Sequence, residues 1–182
     1  MAKTRLIVLS GFAASGKSTI AQKYIAEHDL TLALEVDSLV NNIGKWHEHR
    51  DEVRQLSFDL AKSILKTYLQ SGHDVILPYY TLSVDHIQSF ESIANDYGAE
   101  YYEVILYNER ATAIERLMKR GTWGESKLPL ITEEDRPKLE SDFDKMESVF
   151  KQRQKAVKIQ VTDQTPDQTY IELMSVLAGK PS

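Results

Sequence analysis

The stretch LIVLSGFAASGKSTIAQKY, residues 6–24, decides how the rest of the chain is read. An apolar run leads into a loop bounded by Gly11 and Gly16, then Lys17, Ser18 and Thr19, then a helical pattern. Residues 11–18 fit G-x-x-x-x-G-K-[ST], a loop that cradles phosphates. Glycines let successive backbone N–H groups turn toward an anion. A helix starting near Lys17 adds the positive end of its dipole. The expected nucleotide-binding residues are therefore Gly11, Ala13, Ala14, Ser15, Gly16, Lys17, Ser18 and Thr19. In such a loop the lysine reaches the β- and γ-phosphates, and the next hydroxyl, here Ser18, ligates Mg²⁺. Thr19 supports a neighbouring phosphate.

Outward from this loop, strand-like runs alternate with longer helical patterns. Strands are expected over residues 5–10, 30–37, 74–80, 100–107 and 156–162. Helices are expected over 17–28, 53–69, 83–97, 109–120, 132–154 and 166–178. In the second of these, Leu56, Leu60, Ile64 and Tyr68 recur every four residues and are expected to share a face. Gly98 and Gly121 stop two helices, and Thr132 with Asp135 resembles a capping box. Residues 121–131 read as a loop. Alternation of this kind implies an α/β fold with three layers, α/β/α, around a mainly parallel five-stranded sheet. No repeat or linker divides the chain, so residues 1–182 are expected to form one domain. Ligands in such sheets bind beyond the strand C-termini.

Composition narrows the function classes. The chain has 22 Lys+Arg against 27 Asp+Glu, a net charge of −5. That argues against a protein whose main task is coating nucleic acid. It has no cysteine, which excludes disulfides, thiolate catalysis and Cys-ligated zinc. The N-terminal residues do not read as a signal peptide, and no 18-residue apolar run exists. A cytoplasmic protein with no membrane span is expected. A GTPase would ordinarily carry N-K-x-D and D-x-x-G, and neither occurs. A small phosphotransferase is the remaining reading.

The loop, the segment LEVDSLV (residues 34–40) and the segment RLMKRG (116–121) together resemble the P-loop small-molecule kinases. That group includes chloramphenicol phosphotransferase, the zeta-toxin kinases, gluconate and shikimate kinases and, more distantly, adenylate kinases. The resemblance implies a P-loop NTPase fold with a short lid, here about residues 121–136. It implies transfer of the ATP γ-phosphoryl group to a small-molecule hydroxyl, with Mg²⁺. A V-D-S-L segment in chloramphenicol phosphotransferase carries the aspartate that accepts the substrate hydroxyl proton. By that resemblance Asp37 is the candidate base, a metal ligand beside Ser18, or both. An N-cap for the following helix is its plainer alternative.

The same resemblance places arginines of the RLMKRG helix near the adenine and phosphates. Arg116 and Arg120, four residues apart, share a helix face. Arg136 is a third candidate to stabilise transferring charge, and Trp123 and Lys127 fall within the lid. A solvated basic face is the bland reading of these arginines. In the kinases the chain resembles, the segment after the aspartate contacts the acceptor, which makes Trp46, Arg50 and Arg54 candidate acceptor contacts; Tyr79 and Tyr80 are two more, with half-buried aromatics as their plainer alternative. His47 and His49 lack an obvious third metal ligand and read as exposed histidines. Many relatives carry a metal-linked aspartate after the third strand, where this chain has Pro78-Tyr79-Tyr80. Two rival readings remain: a nucleotide-binding or regulatory ATPase, and a polynucleotide 5′-hydroxyl kinase. The acceptor and the oligomeric state stay open at this point.

Overall fold

A computed structural model describes residues 3–122 and 130–179. Of the expected lid, residues 123–129, with Trp123 and Lys127, lie outside the described residues. The elements follow in the order β1 (Arg5–Gly11), α1 (Lys17–Glu27), β2 (Leu32–Ala33), α2 (Val36–Asn41), α3 (Arg50–Gln70), β3 (Val75–Tyr79), α4 (Val84–Asp96), β4 (Glu100–Tyr107), α5 (Arg110–Arg120), α6 (Arg136–Gln152), β5 (Val157–Gln160) and α7 (Pro166–Leu177). Single 3₁₀ turns precede α3 and α6. The five strands form one parallel sheet in the order β2-β3-β1-β4-β5.

Strand alternation explains the layering. Leu6 and Val8 of β1 point to one face, where α3 and α4 cover them with Phe58, Leu65, Ile87 and Phe90. Ile7 and Leu9 point to the other, packed with Ile20 and Tyr24 of α1 and Leu173 of α7. A third cluster joins α5 and α6 to Phe12 of the loop through Ile114, Leu117, Phe143 and Phe150. Beside it Arg153 pairs with Glu103 of β4 at 2.7 Å and with Glu91 of α4 at 2.6 Å, tying three elements together.

Two expectations need correction. The run at residues 30–37 yields only a two-residue strand, because just Leu32 and Ala33 pair with Val75 and Ile76 of β3. The chain then turns into α2, so Asp37 sits in the first turn of a helix rather than at a strand end. The buried face of α3 carries Val53, Phe58, Ala61, Leu65 and Leu69, while Leu56 and Leu60 are exposed. A series with steps of four drifts about 40° per step around a helix of 3.6 residues per turn. Ile64 and Tyr68 therefore reach the core edge and the first two members do not.

Pro78 fits inside the sheet for a related reason. Leu34 N–H donates to Ile76 O, so Ile76 faces β2 and the position two residues on faces the same way. By then β2 has ended, and the missing N–H of Pro78 deprives no partner.

Candidate active site

The β1–α1 loop has the backbone of an anion cradle. Gly11 approaches its surroundings so closely that a Cβ would lie 2.6 Å from Leu106 O and 2.6 Å from Ser15 Oγ. Ala14 (φ 61°) and Gly16 (φ 94°) both take the left-handed conformation, which aims neighbouring N–H groups inward. No side chain caps the N-terminus of α1, so its first N–H groups stay available to a ligand. The buried Ser15 Oγ has no partner among the described residues. An open cradle, an uncapped helix and an orphaned hydroxyl fit the phosphates of a nucleotide.

Lys17 folds over this cradle, its Nζ donating to Gly11 O at 2.9 Å and to Phe12 O at 2.8 Å. Burial pushes the ammonium down to about 8, while Asp37 opposes the drop, Arg120 adds to it and Glu35 opposes it. The lysine thus shares one electrostatic neighbourhood with two carboxylates and one guanidinium. Asp37 keeps solvent contact, yet crowding by protein pushes its carboxyl above the usual range. Lys17 pulls it back, Glu35 pushes it further up and Arg54 pulls it down. A carboxylate thereby lies within the electrostatic reach of the loop lysine, a placement that suits a proton acceptor.

Ser18 and Thr19 are exposed at the start of α1. No group of three or more His, Cys, Asp or Glu side chains is arranged for a metal among the described residues. The donors to hand are the Ser18 hydroxyl and the Asp37 carboxylate. Such a sparse oxygen set suits Mg²⁺, which keeps waters and takes its other ligands from phosphates.

Next to the cradle lies a cavity of about 320 Å³ lined by Ala14, Gly16, Thr19, Arg116, Gln164 and Pro166 among others. Arg116 is fixed on its wall. It donates to Asn108 Oδ1 at 2.8 Å, to Val161 O at 3.1 Å and to Thr162 O. Its planar guanidinium therefore stands as a rigid face on that cavity. Arg120 is exposed and donates from Nε to Thr122 O at 2.8 Å; burial lowers its pKa. Arg136 is held by two carboxylates, Glu133 at 2.7 Å and Glu115 at 2.9 Å.

On the other side of Asp37 the candidates scatter. Tyr79 is buried and its hydroxyl meets His86 Nδ1 at 2.8 Å. Tyr80 packs edge-on against Phe12 with ring centroids 6.0 Å apart. Arg54 is exposed and pairs with Asp51 at 3.8 Å, and Arg50 is exposed at the start of α3. Trp46 is 4% exposed, enclosed with Val40 and Val53 in a small core of its own. Its aromatic bulk closes the α2–α3 corner. The strand ends at Tyr107–Asn108 and Val161–Asp163 are among those where a ligand is expected from sequence, and Arg116 bonds to both. Glu35 and His86 are not among the residues singled out in sequence; an E-x-D pair opening a short helix is the available signal for Glu35.

Residues 6–152 match the AAA domain family. The chain belongs to that family. The matched span holds the β1–α1 loop and Arg116, while the Val161–Thr169 side of the adjoining cavity lies beyond it. No curated protein matches it in sequence. Solved structures do match in fold. A gluconokinase from Sinorhizobium meliloti is 21% identical, with 98% of this chain covering 94% of that one at a TM-score of 0.67. The APS kinase CysC of Mycobacterium tuberculosis, in complex with AMPPNP and APS, is 16% identical over 98% and 99%, TM-score 0.61. A chain of the Pnkp1/Rnl/Hen1 RNA repair complex is 16% identical at a TM-score of 0.63; this chain spans 47% of its length. The AAA domain described here thus has the P-loop α/β fold of small-molecule kinases, with a parallel five-stranded sheet between helical layers.

Proposed function

We propose that the protein is an ATP-dependent phosphotransferase that moves the γ-phosphoryl group of ATP to a hydroxyl of a small molecule. One observation carries this reading: Asp37 stands in the electrostatic reach of Lys17, beside an uncapped helix N-terminus. A nucleotidase would turn the same carboxylate on water, and the likeness in fold to a gluconokinase and an APS kinase favours a hydroxyl acceptor. A carboxylate on the far side of the phosphates suits an acceptor that must lose a proton.

In the proposed reaction the loop amides and Lys17 hold the phosphates in line. Arg116 fixes the nucleobase in the adjoining cavity, and Arg120 adds positive charge near Lys17. Asp37 takes the proton of the acceptor hydroxyl as its oxygen bonds to the γ-phosphorus, the bond to the bridging oxygen breaks, and ADP leaves. Ser18 and Asp37 would hold Mg²⁺, which neutralises phosphate charge when bound. Arg136, already shared between Glu133 and Glu115, braces the start of α6 against α5.

The test is transfer itself. Purified protein with Mg·ATP and a set of hydroxylated acceptors is expected to give a phosphorylated product and acceptor-stimulated ADP. ATP binding with no product from any acceptor would leave the ATPase reading in its place. A second reading, a polynucleotide 5′-hydroxyl kinase, draws on the likeness to the RNA repair chain. The net charge of −5 weighs against it. Affinity for single strands that falls steeply with added salt would favour it.

A further inference from the structure

The end of β3 holds an arrangement that packing alone does not call for. Tyr79 packs edge-on against Phe90, with ring centroids 5.1 Å apart, and its hydroxyl meets His86 Nδ1 at 2.8 Å. His86, in the first turn of α4, stacks on Phe58 of α3 at 4.0 Å and 20°. Three elements thus lock a phenol and an imidazole together. An apolar wall would be served as well by two phenylalanines. The hydroxyl and the ring nitrogens are the part that needs a purpose.

Both groups are held neutral. Burial pushes the Tyr79 phenol up, and the Asp37 charge pushes it further, so phenol and candidate base share a neighbourhood. Burial pushes His86 down, with Asp85 opposing and Lys62 reinforcing. A neutral imidazole bonded through Nδ1 leaves Nε2 for another partner, and the phenol oxygen keeps further hydrogen-bonding capacity.

The charges nearby complete the picture. Of the cations that act on Asp37, Lys17 is committed to the phosphate cradle and Arg54 is solvent-exposed and paired with Asp51. Glu35 adds negative charge. Apart from the Lys17 ammonium, already engaged in the cradle, no lysine or arginine among the described residues is buried. Seating an anionic group against Tyr79 would leave a desolvated charge without a partner, which is costly.

We propose that Tyr79 and His86 read the acceptor, and that the acceptor is an uncharged compound carrying at least two hydroxyls. His86 is a positioning residue: it acts through the Tyr79 hydroxyl, which meets a second hydroxyl of the substrate while the reacting one faces Asp37. This rests on the phosphotransferase reading and narrows its substrate class.

The experiment uses the full chain with Mg·ATP and six probes: ribose, uridine and chloramphenicol (neutral), gluconate and shikimate (anionic), and kanamycin (cationic). Phosphorus NMR reports transfer. A neutral probe is expected to be phosphorylated. Tyr79→Phe and His86→Phe should each raise its KM about tenfold, the cost of one lost buried hydrogen bond. kcat and the KM for ATP should stay within about twofold. The double variant should be no worse than either single, because the two act in series.

His86→Asn keeps a polar atom near the Nδ1 position that does not titrate. It should restore the KM at neutral pH and hold it flat as pH falls. The KM of the unmodified protein should rise as His86 takes a proton. Facing His86 are Asp85 of its own helix, Lys62 and Phe58 of α3 and Tyr79 of β3. All of these remain in the variant.

Transfer to gluconate, shikimate or kanamycin alone would keep the phosphotransferase reading and overturn this one. So would a neutral substrate whose KM ignores His86→Phe. ATP bound with transfer to none of the six would overturn both.

Discussion

The proposed phosphate half of the cleft is mounted on β1, central in the sheet and seven residues long, and on the eleven-residue α1. The proposed acceptor half is mounted on a strand of two residues at the sheet edge and a helix of six. On the first side the proposed binding groups belong to the backbone. Loop conformation, close approach and an uncapped helix end leave little room for other residues. On the second side loosely related side chains converge from α2, α3, β3 and α4. The difference teaches where substitution is expected to abolish the reaction and where to retune it.

The comparison breaks most readily at Lys17. Lys17→Ala removes the one cation folded over the cradle, and kcat/KM measured by ADP release should fall about 10³-fold. If Asp37→Asn falls less, about 10²-fold in kcat with the KM for ATP unchanged, the base contributes less than the cradle, as its looser mounting suggests. Near-normal turnover in Asp37→Asn would remove it as the base. Gly11→Ala tests the close approach directly. Its Cβ has no room beside Leu106 O, so unfolding by urea should report a loss of about 1–3 kcal/mol.

Arg116→Lys sharpens the contrast on the proposed nucleobase wall. A lysine cannot reproduce three simultaneous contacts, so the KM for ATP should rise about tenfold with kcat held. The smallest expected effect is on pH. The proposed phosphate contact needs the protonated Lys17, whose ammonium burial pushes down to about 8. ATP affinity should therefore be flat well below that value and weaken above it, by about fourfold between pH 7 and about 8.5 as calorimetric titration would report. Loss of the trend in Lys17→Arg would assign it to this group.

The same contrast explains what was legible in sequence. Residues 11–19 announced themselves because every position answers to backbone geometry, and such demands leave a fixed spacing behind. The five strands were legible because buried parallel strands read as apolar runs. The α3 face was misjudged because steps of four mimic a helix stripe over two turns and then drift away from it. Trp46 was placed in the acceptor pocket by its neighbourhood in sequence, and its 4% exposure comes from Val40 and Val53, which only the folded corner brings to it. His86 carried no local signal at all. Its partner Tyr79 lies on another element, and so does the ring it stacks on.

The two rungs that join β2 to β3 have a kinetic consequence. Few hydrogen bonds anchor the edge that leads into α2, while β1 is paired on both sides along its length. Amide protons around Asp37 should exchange with solvent through small local openings long before those of β1 do. The candidate base then belongs to a segment that can yield and re-form around an incoming molecule while the grip on the nucleotide stays shut.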